Sequence, residues 1–248
     1  MKKKLLQVFI GVLAIGSIAT AVISSYQIYR QLKDVEKFDE IRTIAAADPE
    51  DKKSGIDFGK LEEINPDIVA WMQVENTDEL SFPILQAKDN QFYLTHAYDK
   101  SESQFGSAFM DAESPSDFSG YNTFIYGHNI AGSDELFSFL KSYENYDYYV
   151  QHPAIKILTE DKEYTARIVS FNIDTWDSFL YQPYIDTKEA LDTYLDYAME
   201  HSLYNTNVSA SSDSRYVTFY TCAYRRVDRS NIYIDRYYLT AVLEEISG

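Results

Sequence analysis

One cysteine and four histidines are the side chains of this sequence best suited to covalent chemistry. Cys222 closes the segment Thr218-Phe219-Tyr220-Thr221-Cys222, an aromatic and β-branched run that reads as a strand presenting a thiol at its end. A lone cysteine is ordinarily a small buried hydrophobe. This one is followed by Arg225, Arg226, Arg229 and Arg236 in an otherwise strongly acidic chain. Cations beside a thiol favour the thiolate, the form that acts as a nucleophile. Arg225 and Arg226 are read as part of a solvated basic loop.

His128 stands in Tyr126-Gly127-His128-Asn129, directly after the strand pattern at 122–127. The glycine lets the chain turn there, so the imidazole can enter a cleft at a strand end, where proton transfer to or from a reacting group is possible. His152, before Pro153, and His201, on the polar end of a helical pattern, read as surface residues, and His96 as structural. With no second ligand at customary spacing, metal binding is not expected. A single cysteine excludes an intramolecular disulfide and a Cys-rich zinc site.

These residues need a scaffold. The chain has 248 residues, 45% hydrophobic and 15% aromatic, with 22 tyrosines, which suits one β-rich domain plus extra segments. The net charge is −17, and Lys2, Lys3, Lys4 and Arg30 are unopposed by any acid in the first thirty residues, so the remainder is more acidic still. Such a body repels a phosphate backbone, and nucleic acid is not expected as a partner.

The uncharged run at 5–26 behind Lys2-Lys3-Lys4 is read as a membrane-spanning anchor, with residues 1–4 as a cytoplasmic tail and the body outside the cell. Ala19-Thr20-Ala21 leaves a cleaved signal peptide as the competing reading. Residues 27–62 read as a helix, with Ile28, Leu32, Val35, Phe38 and Ile41 at helical spacing, followed by a stalk; residues 63–248 read as the catalytic domain.

Within the body, short strands are expected at 68–74, 80–85, 106–111, 122–127, 154–158, 163–172, 216–221 and 233–243, the second an edge or irregular strand because of Pro83. A helix at 133–140 is expected behind a Ser133 cap. A longer helix at 187–204 is expected behind Thr187, with Leu191, Tyr194, Leu195, Ala198 and Met199 on its apolar face. Many short strands and few helices predict a mainly β barrel or sandwich.

In the order of these motifs the sequence resembles the sortases, membrane-anchored cysteine transpeptidases of Gram-positive cell surfaces, and most closely class B. The family's nucleophile motif, Thr-Leu-x-Thr-Cys, reads here Thr218-Phe219-Tyr220-Thr221-Cys222, with Phe in place of Leu. Gly127-His128 matches the family's histidine. The likeness continues through 65–71, 106–111 and 136–140, and the helix between the histidine and cysteine strands is similar to the class B insertion. It implies a closed barrel of about eight strands with an N-terminal helix.

The resemblance also implies a catalytic arginine at the start of the strand after the cysteine. In the family it tends to lie eight to ten residues on, where this chain has Ser230 to Ile232. Arg229 and Arg236 flank that window. Arg236 opens 236–243, which matches the family's final strand, and is preferred; Arg229 is the alternative.

By the same resemblance Cys222 attacks a sorting signal of a secreted protein or pilin, Arg236 steadies the oxyanion, His128 moves protons and Thr221 shapes the substrate groove. The acyl group passes to a peptidoglycan precursor or a pilin lysine, with no cofactor or metal. A Cys–His cell-wall peptidase and a non-catalytic surface binding module are the competing readings.

Overall fold

A computed structural model describes residues 2–46, 55–77, 80–130, 132–133, 135–226 and 232–246. Helix α1 (Lys2–Ala45) and the short α2 (Phe58–Ile64) precede a barrel of eight strands. These are β1 (Ile68–Val74), β2 (Ser81–Leu85), β3 (Ala108–Met110), β4 (Asn122–Tyr126), β5 (Ala154–Leu158), β6 (Glu163–Asp174), β7 (Arg215–Arg226) and β8 (Ile232–Glu245). The barrel closes in the order β1-β2-β3-β4-β7-β8-β6-β5. The β2/β3 and β4/β7 pairs are parallel and the others antiparallel. The mainly β barrel with helices expected from the sequence is the fold observed.

The period of two along the strands builds two layers. Val217, Phe219, Ala223, Tyr237, Leu239 and Ala241 join residues of the other strands in the barrel interior. The alternate positions Tyr216 and Tyr238 belong to a second cluster outside the barrel, with Trp71 and Phe124. Helix α4 (Lys188–Glu200) covers that outer layer. Its Thr187 cap accepts from the Ala190 N–H at 3.1 Å, and Leu191, Tyr194, Leu195 and Ala198 are buried. Met199, expected on the same face, is 40% exposed, one residue before the helix ends at Glu200.

Two local readings are revised. The helix expected at 133–140 is a 3-10 helix at Phe137–Glu144. Ser133 Oγ accepts from the Glu135 N–H at 3.1 Å, and Leu136 takes a left-handed φ of 51° that separates this turn from the helix. A short helix α3 (Tyr146–Gln151), capped by the Asn145 side chain, follows it. Strand β7 continues past Cys222 to Arg226, pairing with the first residues of β8, so Cys222 lies inside its strand.

The membrane anchor expected at 5–26, and the single-pass membrane localisation built on it, are corrected. Those residues are part of one 44-residue helix, and among the described residues no helix is long and apolar enough to cross a membrane. Along this helix the Ser17 and Thr20 hydroxyls donate back to the Leu13 and Gly16 carbonyls at 2.9 Å. The C-terminal part of α1 lies on the barrel: Phe38, Ile41 and Ala45 are buried, and Arg42 pairs with Glu135 beyond β4 while its Nε donates to the Ser81 carbonyl at 2.8 Å.

Candidate active site

The histidine and cysteine strands are direct neighbours. Strand β4 runs parallel to β7, and its last ladder pair is Tyr126 with Tyr220. His128 and Cys222 lie two residues beyond that pair on their respective chains. Cys222 thus has the strand-end setting expected from the sequence for a different reason: its neighbour ends, and β7 continues.

Past the ladder, single bonds hold the histidine segment along β7. The Gly127 N–H donates to the Tyr220 carbonyl at 3.3 Å, the Thr221 hydroxyl to the Gly127 carbonyl at 2.6 Å, and the Asn129 amide to the Cys222 carbonyl at 2.8 Å. Gly127 is required by packing. A Cβ built there would stand 2.7 Å from the Phe137 ring, well inside contact distance. Thr221 alternates to the side opposite Cys222 and is 2% exposed.

His128 is half-buried, and its Nε2 lies 2.9 Å from the Leu94 carbonyl. A carbonyl can only accept, so Nε2 carries a proton in this geometry and Nδ1 is the nitrogen that can gain or lose one. Leu94 ends a 3-10 turn, Phe92–Leu94. His96 stacks on Phe92 at 4.0 Å with Nδ1 2.8 Å from the Phe92 carbonyl, in keeping with a structural role. His152, half-buried, has Nδ1 2.8 Å from the Glu75 carbonyl, and His201 is exposed.

Arg236 is the direct ladder partner of Cys222. Residues opposite one another in an antiparallel pair share a face, with Cβ atoms about 4.5–5.5 Å apart. Its Nε donates to the Tyr220 hydroxyl at 2.9 Å and Nη1 to the Asp235 carbonyl at 3.0 Å. Arg229 lies outside the described residues. The longer spacing from Cys222 to Arg236 is taken up by extra ladder: Ala223 to Arg226 pair with Asp235 to Ile232.

The outer face of β7 and β8 forms three steps. Thr218 and Thr240 lie under α4, where the Tyr194 hydroxyl meets both at 3.0 and 3.1 Å. Tyr220 and Tyr238 come next. Tyr181, from the connection between β6 and α4, packs on Tyr220 at 5.3 Å, and the Tyr238 hydroxyl donates to the Thr175 carbonyl at 2.8 Å. The third step is Cys222 and Arg236, both half-buried. The covering layer thus gives way to solvent at the thiol and the guanidinium. Burial pushes the Tyr220 phenol up, and the Arg236 guanidinium acts in the opposite sense.

A thiol, an imidazole and a guanidinium gathered at one barrel edge can supply a nucleophile, a proton carrier and an anion binder. Among the described residues no group of three or more His, Cys, Asp or Glu side chains could hold a metal ion. Sequence reasoning missed Tyr220, which occupies the variable position of the cysteine motif, and Asn129, which follows the histidine.

No family model matches the chain. It is similar to sortase B of Listeria monocytogenes, 32% identical over 162 residues; the alignment spans 65% of each chain, just under two thirds of that relative. Its structure is similar to a mutant form of Clostridium perfringens sortase B, with a TM-score of 0.72 at 27% identity over 85% of this chain and 97% of the other. It also resembles Staphylococcus aureus sortase B in complex with a substrate, with a TM-score of 0.70 at 24% identity over 90% of this chain and 98% of the other.

Proposed function

The chain belongs to the class B sortases, and from that premise we propose that it is a cysteine transpeptidase with Cys222, His128 and Arg236 as its catalytic residues. The observation that carries this reading is the cross-strand pairing of Cys222 with Arg236, beside the strand that delivers His128.

The substrate is a sorting signal near the C-terminus of a secreted protein, cleaved after a threonine. The Cys222 thiolate attacks the scissile carbonyl carbon, and the carbonyl oxygen gains the negative charge. Arg236 N–H groups on the same strand face donate to that oxyanion in a partly dry cleft, the setting in which such donors are most effective. As the tetrahedral adduct collapses, the carbon–nitrogen bond breaks and the imidazolium of His128 gives its Nδ1 proton to the departing amine. A thioester to Cys222 remains. A second amine, from a peptidoglycan precursor or a pilin lysine, then attacks it. Neutral His128 takes that amine's proton, the carbon–sulfur bond breaks and the thiolate returns. No step needs a metal or an organic cofactor.

Thr221 serves the groove indirectly, by holding the Gly127 carbonyl and so the chain that carries His128. Arg229 is not needed in this scheme, because the ladder already pairs Cys222 with a cation.

The reading is tested by incubating the chain with a panel of sorting-signal peptides, with and without an added amine. Faster turnover and an amide-linked product with amine are expected. Release of the free acid alone, at a rate indifferent to amine, would identify a hydrolase instead.

A further inference from the structure

Tyr220 has a position that the scheme above leaves unused. It is two residues before Cys222 and shares its strand face, and it pairs with Tyr238 while Cys222 pairs with Arg236. Tyr220 and Arg236 are therefore diagonal neighbours across the ladder, a separation that an aromatic and a long side chain can close. They do close it: the Arg236 Nε donates to the Tyr220 hydroxyl at 2.9 Å.

The phenol is itself fixed. Its ring lies 5.1 Å from Tyr238, 5.3 Å from Tyr181 and 5.7 Å from Tyr126, centroid to centroid. Tyr126 is held in turn by its hydroxyl, which donates to the Asp111 carboxylate at 2.8 Å. A chain of rigid contacts thus runs from the buried Asp111 to the hydroxyl on which the guanidinium rests.

A guanidinium on a long stem loses rotamer freedom whenever it is aimed at one point. Fixing Nε also fixes the plane of the whole fork, and with it the direction in which the Nη donors point. We infer that Tyr220 is a positioning residue for Arg236: its phenol oxygen, anchored by the aromatic cluster, sets the guanidinium plane against the face that carries Cys222. The inference rests on the reading of Arg236 as the oxyanion cation. Burial keeps the phenol in its neutral form, so its oxygen remains an uncharged acceptor and does not neutralise the cation. Lysine has no Nε–H fork, so the device serves arginine only.

The test combines kinetics with a measurement that needs no turnover. Tyr220→Phe keeps the ring and its packing and removes only the acceptor. Its kcat on a sorting peptide is expected to fall about tenfold, the loss fitting one hydrogen bond to a charged group, with KM within about twofold of the parent. In an Arg236→Ala background the same change is expected to cost nothing further, because the group it positions is gone. Multiplying losses in the double variant, or a raised KM at unchanged kcat, would overturn the inference, the latter pointing to direct contact with substrate. Separately, the Arg236 Nε–H resonance in a nitrogen-15 spectrum of the Cys222→Ala chain is expected to move on Tyr220→Phe. An unmoved resonance overturns the positioning role whether or not the chain proves to be a transpeptidase. Absence of turnover with a resonance that does move would instead count against the proposed function alone.

Discussion

Cys222 and Arg236 face each other across the β7/β8 ladder although fourteen positions separate them in sequence. The register is set by the extended hairpin and by the interior stripe of Phe219, Ala223, Tyr237 and Leu239. A slip of one residue would turn every member of that stripe outward, so the pairing of thiol and guanidinium is protected by the same burial that stabilises the barrel.

Arg236→Lys is expected to lose much of the rate although it keeps the charge, since an ammonium cannot reproduce the planar fork of donors. Arg236→Ala is expected to lower kcat by ~10²–10³, the range for one oxyanion donor. Arg229→Ala should cost far less. Steady-state kinetics of the three variants check this order, and a dead Arg229→Ala beside an active Arg236→Ala contradicts it.

Gly127→Ala places a methyl group 2.7 Å from the Phe137 ring, and something must move. The expected cost is about 1–3 kcal/mol of stability, as for overpacking elsewhere, with a larger fractional loss of activity because His128 is the next residue. Phe137→Leu in the same chain should recover part of the activity by making room. Thermal unfolding read alongside kcat separates the two effects, and a Gly127→Ala chain with parental kcat would show that the segment has slack.

The barrel was legible in the sequence because its strands alternate or bury both faces, as in 68–74 and 154–158. Pro83 suggested an edge or an irregular strand, but β2 is no edge: it pairs with β1 through Pro83 itself and with β3 from Ile84 on. What could not be read was the length of β7. Ala223-Tyr224-Arg225-Arg226 looks like a polar loop, and only its partner strand makes it a ladder. The same extra ladder accounts for the fourteen-residue spacing between Cys222 and Arg236, which only the register of β7 on β8 sets opposite one another. Tyr220 was invisible as a functional residue because its link to Arg236 is diagonal, and a diagonal contact exists only once register is known.

Thr221→Val keeps the shape of the side chain and removes the donor to the Gly127 carbonyl. A loss of about 1 kcal/mol is expected, with kcat lowered and largely restored in Thr221→Ser, which retains the hydroxyl. If Thr221→Val matches the parent in both respects, the hydroxyl does not hold the histidine segment.

The carboxyl of Asp67 supplies a pH dependence. Its burial pushes it up, but the Tyr93 hydroxyl at 2.6 Å and the Lys100 ammonium at 2.9 Å outweigh that and hold it below the ordinary range. A group depressed on folding contributes stability above its unfolded value, about 3.9 for aspartate, and that stability is lost as pH falls through the lower folded value. Urea midpoints measured from neutral to strongly acid pH should therefore fall off less steeply at the acid end for Asp67→Asn than for the parent. Identical acid limbs would remove Asp67 from the account.

The central claim is that Cys222 carries the acyl group between donor and acceptor. Mass spectrometry of the intact chain after brief incubation with a sorting-signal peptide, without added amine, tests this directly. The account predicts a mass increase equal to the peptide's N-terminal fragment, mapped to Cys222, discharged by hydroxylamine and absent from Cys222→Ala. Continued cleavage by Cys222→Ala, or an acyl adduct on any other residue, would contradict it.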